Sequence, residues 1–391
     1  MGSNNIKIEL HLIQNFAPSC LNRDDANAPK DCEFGGVRRA RISSQCIKKS
    51  NRRYFRDSAS VDIGQRTKLL KGELVSRLVA SGKSEKQAGE AVEVFVDAYY
   101  SKADAKKPEQ TAVLLYIGEP EIAEATACIE QQWEALLQCA SKSETTNGKK
   151  SGKEESFTAD KAVAERLQHA KLSADIALFG RMLAENPAMR VDAAVQVAHA
   201  ISTHRVDMDF DFFTAVDDLN PASETGAGMM GETGFNSACF YRYALIDRDE
   251  LIKNLGGDQA SADKVIHAFM EAFVIAIPTG KQNSFAAQNP PDFGMIVVRQ
   301  NGFPCSLANA FAQPIRIVPG QDEDLVGRSI EALCKLHPKI KSVYGSGGLV
   351  SEAIWHTGHD SRLGDLGDSA WASFADAVET TMTAIAGASG V

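Results

Sequence analysis

The sequence predicts an α+β protein whose sheet is interrupted by a long helical insertion, and three observations lead there. At the start Ile6, Ile8, Leu10 and Leu12 alternate with Lys7, Glu9 and His11, the period of two that makes a half-buried strand. From Gly64 to about Lys171 the apolar residues recur instead at helical spacing. Strand-like alternation then returns over Ala238 to Ile246 and Met295 to Val298.

With 391 residues, 44% of them hydrophobic, the chain has material for two domains or for one large domain carrying an insertion. Its formal net charge is −9, yet Phe34 to Arg56 holds eight basic residues and no acid, so the remainder stands at −17 (−9 minus 8). Whole-protein attraction to a polyanion is therefore excluded, and any such binding is local. The eight cysteines include no CxxC pair and follow no signal-like apolar segment. That pattern supports neither a zinc ribbon nor a secreted disulfide framework, and predicts reduced thiols in a cytoplasmic protein. No apolar run nears the ~18 residues of a membrane span.

In chain order, the first strand leaves His11 on its polar side. Asn15 to Glu33 is rich in Asn, Asp, Pro and Ala and reads as loop. Phe34-Gly35-Gly36 turns the chain into a strand over Val37 to Ile42, with Ala40 and Ile42 on one face and Arg39 and Arg41 on the other. Ser43 or Ser44 caps a helix that turns Ile47 and Tyr54 inward and stacks Lys48 and Arg52 at i and i+4. Helix-start N–H groups, the arginines and Lys48 thus converge as a phosphate-holding constellation; the alternative is a solvated basic face.

In the insertion, Leu69, Leu70, Leu74, Leu78 and Val79 form one apolar stripe, Val92, Phe95, Val96 and Tyr99 a second, and Ile122, Ala125, Ile129, Trp133 and Leu137 a third. Ser141 to Ser156 reads as a polar, mobile loop carrying Lys149, Lys150 and Lys153, either a solvated linker or a weak nucleic-acid contact. Ser173 to Gly180 reads as a strand and Pro187 to Ile201 as a helix.

Acids and aromatics then alternate through Asp207, Asp209, Phe210, Asp211, Phe212 and Phe213, ahead of a turn-like stretch and the run Gly226-Ala-Gly228-Met-Met-Gly231. That run fits GxGxxG but lacks the preceding apolar strand and following helix of a dinucleotide turn. Ala262 to Ile277 reads as a helix ended by Pro278, Phe285 to Pro291 as loop, and the chain beyond about residue 315 as helical pattern alone. The ordered β, α, β elements, with an early basic and a later aromatic strand, fit a ferredoxin-like (RRM-like) RNA-recognition sheet. The aromatic RNP1 pattern is missing, so base stacking on the sheet is not the expected mode.

The wording PSCLNRDD at Pro18 to Asp25, followed by FGG-x-RR-x-RISSQ-x-x-K from Phe34 to Lys48, resembles the CasC-type crRNA-binding backbone subunit of type I-E CRISPR Cascade. Asp175 to Met182, Ala198 to His204, Phe213 to Leu219, Phe240 to Tyr243, Lys281-Gln282 and Leu307 to Phe311 continue the resemblance. It implies a palm over 1–60, helical fingers inserted over 61–171, more palm over 172–200, a β-hairpin thumb over 201–236, and palm with C-terminal helices over 237–391.

The implied function is a non-catalytic, repeated scaffold that grips crRNA and presents it for pairing with target DNA. Arg23, Lys30, Arg41, Ser43, Gln45 and Lys48 match the family position by position; Arg39, Ser44 and Arg52 join them as RNA contacts, and Asn51 stands where a basic residue is expected. Lys281 and Gln282 are expected at RNA or at the adjacent copy, Met229 and Met230 as the apolar wedge of the thumb, and Lys149, Lys150 and Lys153 at DNA. The implied partners are crRNA, target DNA, further copies in a head-to-tail filament, other Cascade subunits and a recruited helicase-nuclease. No cofactor and no membrane are expected.

Signals for metal or catalysis are thin. His356-x-x-His359-Asp360 sits in a glycine-rich loop without an assigned third ligand, so no metal is expected. His199 and His204 flank the expected helix end as packed or capping residues. Asp24 and Asp25 carry a rival function, since related type III backbone subunits cut target RNA with a loop aspartate. A loop neutralised by Asn22, Arg23 and Lys30 is the reading preferred here. A second rival is a nucleotide-binding enzyme using the basic helix start as a phosphate cradle.

Overall fold

The computed structural model of the chain describes residues 5–145, 157–183, 186–216, 227–317, 324–371 and 373–390. The chain opens with β1 (Ile6–Ser19), β2 (Asp31–Phe34), β3 (Val37–Ile42) and α1 (Ser44–Ser58). Next come β4 (Gln65–Thr67), α2 (Leu70–Ala80), α3 (Glu85–Tyr99), β5 (Leu115–Ile117), α4 (Glu119–Gln131), α5 (Trp133–Thr145), α6 (Lys161–Gln168) and α7 (Ala174–Phe179). β6 (Val195–Val197), β7 (Ala200–Ser202), β8 (Asp209–Val216) and β9 (Ala227–Asp247) follow, then α8 (Arg248–Asn254), α9 (Gln259–Ile275) and α10 (Gln282–Phe285). The last elements are β10 (Phe293–Gln300), α11 (Leu325–Tyr344), β11 (Leu349–His356) and α12 (Phe374–Ser389).

These elements form two units. The first comprises 1–57, 195–248 and 266–391, and the second 58–194 with 249–265. The first is built on an antiparallel sheet with the strand order β11-β10-β1-β9-β7-β3-β2, to which β6 and β8 add by pairing with β9.

β1 runs centrally in that sheet and is buried on both faces rather than on one, because β9 and β10 flank it and helices cover it. Ile8, Leu10 and Leu12 are buried on one side, and Glu9, His11 and Ile13 on the other. The polar side is satisfied internally. Arg299 donates to Glu9 Oε1 at 2.6 Å, the Cys305 N–H donates to Glu9 Oε2 at 2.7 Å, and His11 Nδ1 lies 2.9 Å from the Tyr241 hydroxyl. Burial holds the His11 pKa well below the usual imidazole value. On this face Ile13, Tyr241, Phe293, Met295 and Val297 join Ile330 and Leu333 of α11 in one apolar cluster.

Several local expectations change. Ser173 to Gly180 is the helix α7, not a strand: Asp175 accepts the Gly64 N–H at 2.7 Å and the Tyr116 hydroxyl at 2.6 Å, contacts that only the folded chain supplies. Pro187 to Ile201 is no helix but a short 3₁₀ turn followed by β6 and most of β7. Residues 172–194 accordingly group with the second unit. The C-terminal region adds a strand to its helices, because β11 pairs with β10 at the sheet edge.

In the second unit the apolar stripes of α2, α3 and α4 form one core around Leu74, Val92, Phe95, Ile122, Ile129 and Trp133. Leu69 and Val79, placed in the α2 stripe by spacing, are exposed; Leu70, Leu74 and Leu78 carry the buried face. A buried ion pair crosses this core, with Arg181 donating to Glu121 Oε1 at 2.6 Å and to the Tyr116 carbonyl at 2.9 Å. The other oxygen of Glu121 accepts the Gly118 N–H at 2.8 Å and closes the start of α4.

Candidate nucleic-acid interface

The basic segment folds into β3 and α1, and the loop before it is tied to both. Asp24 Oδ1 accepts the N–H groups of Ala26 and Ala28 at 2.9 and 3.0 Å, and the Lys30 N–H reaches the Asn22 carbonyl at 2.8 Å, which closes residues 22–30 on themselves. The Arg41 N–H donates to the Lys30 carbonyl at 2.9 Å and joins the loop to β3. Asn22 Oδ1 accepts the Ser43 N–H at 2.9 Å and joins it to the start of α1. Ser43 Oγ accepts the Cys46 N–H at 3.3 Å, so Ser43 caps the helix.

This geometry brings together Lys30, Arg41, Ser43, Ser44 and Gln45. Arg41 is aimed by two contacts, donating from Nε to the Asp31 carbonyl at 3.1 Å and lying 3.2 Å from His199 Nδ1. Burial first, then Arg41 and Lys30, push the His199 pKa down, which keeps that imidazole neutral beside the guanidinium. His199 sits between β6 and β7, not at a helix end.

Along α1, Ile47, Asn51 and Phe55 turn inward and Tyr54 is only half-buried. Lys48, Arg52 and Arg56 follow one another at i, i+4 and i+8 on one flank, where burial lowers the Lys48 pKa. Gln45 is exposed, and Ser44 Oγ donates to its Oε1 at 3.4 Å. Arg23 is exposed and bonds Asn27 Oδ1 at 3.2 Å.

Arg39 does not belong with them. It is 0% exposed, and it donates to the carbonyls of Phe34, Ser202 and Phe311 at 3.1, 2.9 and 2.7 Å. The strand alternation that pairs it with Arg41 is correct, but the segments after β7 and around Phe311 cover its end of the face. Arg39 is a structural cation, unable to meet a phosphate without unfolding its surroundings.

Lys281 and Gln282 are committed within the chain. Lys281 Nζ donates to Thr233 Oγ1 at 2.9 Å, and Gln282 Nε2 donates to the carbonyls of Pro278 and Ala287 at 3.0 and 3.2 Å. Gln282 also lines a cavity of about 460 Å³ together with Ser50, Arg53, Tyr54 and Asp57 of α1.

The hairpin of β8 and β9 aligns Thr214 with Met230 and Ala215 with Met229. Adjacent residues of a strand face opposite ways, so Met229 and Met230 cannot form one wedge, although both are exposed. Lys149, Lys150 and Lys153 lie outside the described residues.

Among the described residues no group of three His, Cys, Asp or Glu side chains is arranged to hold a metal. His356 Nδ1 instead accepts the His359 N–H at 3.0 Å. Likewise no helix among those residues is long and apolar enough to cross a membrane.

A model of the CT1975-like protein family matches residues 8–380. The chain belongs to the CT1975-like protein family. This CT1975-like chain is similar to a chain of a solved CRISPR RNA-guided surveillance complex in a pre-nicking state, with 30% identity, a TM-score of 0.80, and coverage of 97% of this chain and 99% of that one. It is also similar to a chain of a further CRISPR RNA-guided surveillance complex, with 25% identity, a TM-score of 0.70 and the same coverage. No curated protein matches it. Sequence reasoning named Asn22 as a neutraliser of the aspartate pair and His199 as a packed or capping residue, and missed their roles beside Ser43 and Arg41; Asn22 lies inside the PSCLNRDD wording, but its bond to Ser43 had no local signal.

Proposed function

We propose that the chain is the guide-RNA-binding backbone subunit of a CRISPR RNA-guided surveillance complex, of the type I-E kind that its motifs resemble. The observation that carries this is the similarity, over 97% of the chain, to a chain of such a complex. The tied loop, β3 and α1 supply a surface suited to the task. In this reading Arg23, Lys30, Arg41, Lys48 and Arg52 neutralise phosphates, while Ser43, Ser44 and Gln45 bond phosphate or ribose oxygens. Such contacts hold a strand without reading its sequence, which leaves sequence recognition to base pairing with target DNA.

The remaining roles follow the same reading. The first unit is the RRM-like palm, the second the fingers, and the β8–β9 hairpin the thumb, with either Met229 or Met230 presented to the guide. Lys149, Lys150 and Lys153 touch target DNA. Further copies head to tail, other Cascade subunits and a helicase-nuclease complete the assembly. In this reading the chain itself is not catalytic, and Asp24 Oδ1, which accepts the N–H groups of Ala26 and Ala28, serves to hold the loop.

Replacing Arg41 and Lys48 by Ala tests this. Single-strand binding loses salt dependence by about 0.7 in log–log slope per phosphate contact removed, so the double variant is expected to bind guide more weakly with a slope flatter by about 1.4. An unchanged slope in a folded variant would refute the assignment of these side chains.

A further inference from the structure

The sheet sets His199 beside Arg41. Antiparallel pairing puts Ile201 of β7 opposite Arg41 and Ala200 opposite Ile42, so His199, two residues before Ile201, lies on the face of Arg41 and diagonal to it. The link that carries His199 is also held from the other side. Val197 pairs with Ala244 of β9, and the Ala198 N–H donates to the Tyr243 carbonyl at 3.0 Å. Backbone pairing thus fixes where the ring starts, while the residue itself stays exposed.

Its contact with Arg41 decides which ring nitrogen carries the proton. A guanidinium has donors only, so His199 Nδ1, 3.2 Å from Arg41 Nη1, is the acceptor, and the neutral ring keeps its proton on Nε2. Partial burial first, then Arg41 and Lys30, lower the His199 pKa and leave the ring neutral at pH 7.5. The side chain therefore offers one uncharged donor, Nε2–H, on the side of the ring away from Nδ1.

That donor differs in kind from its neighbours. Arg23, Lys30, Arg41, Lys48 and Arg52 are cations, suited to phosphate. A neutral donor standing among cations that take phosphates meets the sugar that joins them. On that sugar the 2′-hydroxyl is the group that tells RNA from DNA, and its oxygen accepts a hydrogen bond.

We infer that His199 makes the site prefer ribose: Nδ1 aims Arg41 at a phosphate, and Nε2–H donates to the 2′-hydroxyl of the adjoining sugar. The inference rests on the proposed function and deepens it, from a grip on single strands to a grip that favours RNA.

Full-length protein and its His199 variants, titrated at pH 7.5 with one RNA and with the 2′-deoxy strand of the same base sequence, uracil retained, test it. Wild type is expected to bind the RNA more tightly. His199→Ala is expected to weaken binding to both strands, because Arg41 loses its acceptor, and to lower the RNA-to-DNA affinity ratio by a further factor of about five, the worth of one hydrogen bond. His199→Gln, whose amide nitrogen can reach the Nε2 position, is expected to keep the ratio. His199→Asn, whose Oδ1 replaces Nδ1, is expected to restore DNA affinity, to leave the ratio low and to keep the salt slope of wild type, since a neutral ring displaces no counterion. Equal losses on RNA and DNA overturn the inference, as does a ratio that His199→Gln fails to keep. A slope flatter by about 0.7 in His199→Asn, the mark of a charged phosphate contact, overturns it as well, and so does a wild type indifferent to the 2′-hydroxyl. All of these leave strand binding in place; a wild type that binds neither strand contradicts the proposed function, and the inference falls with it.

Discussion

Asn22 Oδ1 accepts the backbone N–H of Ser43 at 2.9 Å, so the loop that carries Arg23 and the helix that carries Lys48 are fixed to each other by one side chain. Asn22→Ala leaves that N–H without its acceptor while removing no side chain proposed to touch RNA. It is expected to cost about 1 kcal/mol of stability and to weaken guide binding several-fold with the salt slope unchanged. A normal affinity would show that the loop is positioned without the bond.

Arg39 and Arg41 share a strand and separate in role. Arg39→Ala leaves three carbonyls without their donor and is expected to destabilise the first unit by roughly 3 kcal/mol or more, visible in denaturant titration. Arg41→Ala is expected to keep stability within about 0.5 kcal/mol and to lower RNA affinity. Equal stability of the two variants would contradict the assignment.

This pair also marks where the sequence is legible and where it is not. Alternation places Arg39 and Arg41 on one face, and the cap at Ser43, the stripes of α3 and α4 and the strands β9 and β10 were readable from period and turn chemistry. The burial of Arg39 was not, because its partners Ser202 and Phe311 lie 163 and 272 residues away. Glu9 and His11 looked solvent-facing for the same reason: Arg299 and Tyr241, which satisfy them, come from strands that the N-terminal segment does not foretell. The run Ala174 to Phe179 is short and apolar, so period alone does not separate strand from helix. The bonds from Gly64 and Tyr116 to Asp175 hold it as α7 in the folded chain.

His204 gives a pH signature. Burial first, then Arg39, lower its pKa to about 4, below the unfolded value near 6.5. The folded state therefore binds fewer protons than the unfolded chain between those values. The stability contribution is complete above about pH 6.5 and is lost as pH falls toward 4, on the order of 3 kcal/mol. His11 and His199 shift in the same direction. His204→Gln is expected to flatten the pH dependence of the unfolding midpoint between pH 6.5 and 4; an unaltered curve would assign it to the other two.

In the second unit, Glu121→Gln removes the charge opposite Arg181 where both side chains are buried. Stranding one ion of a buried pair costs roughly 3–5 kcal/mol, so hydrogen exchange in α4 and around Tyr116 is expected to accelerate strongly. Protection equal to wild type would mean that Arg181 finds enough in the carbonyls of Tyr116 and Met189.

The most direct measurement of the central claim is the absorbance ratio and mass of the full-length protein purified after co-expression with a guide RNA. The proposed function predicts material that carries RNA of defined length, with several copies of the chain on each RNA. A nucleic-acid-free monomer would contradict it.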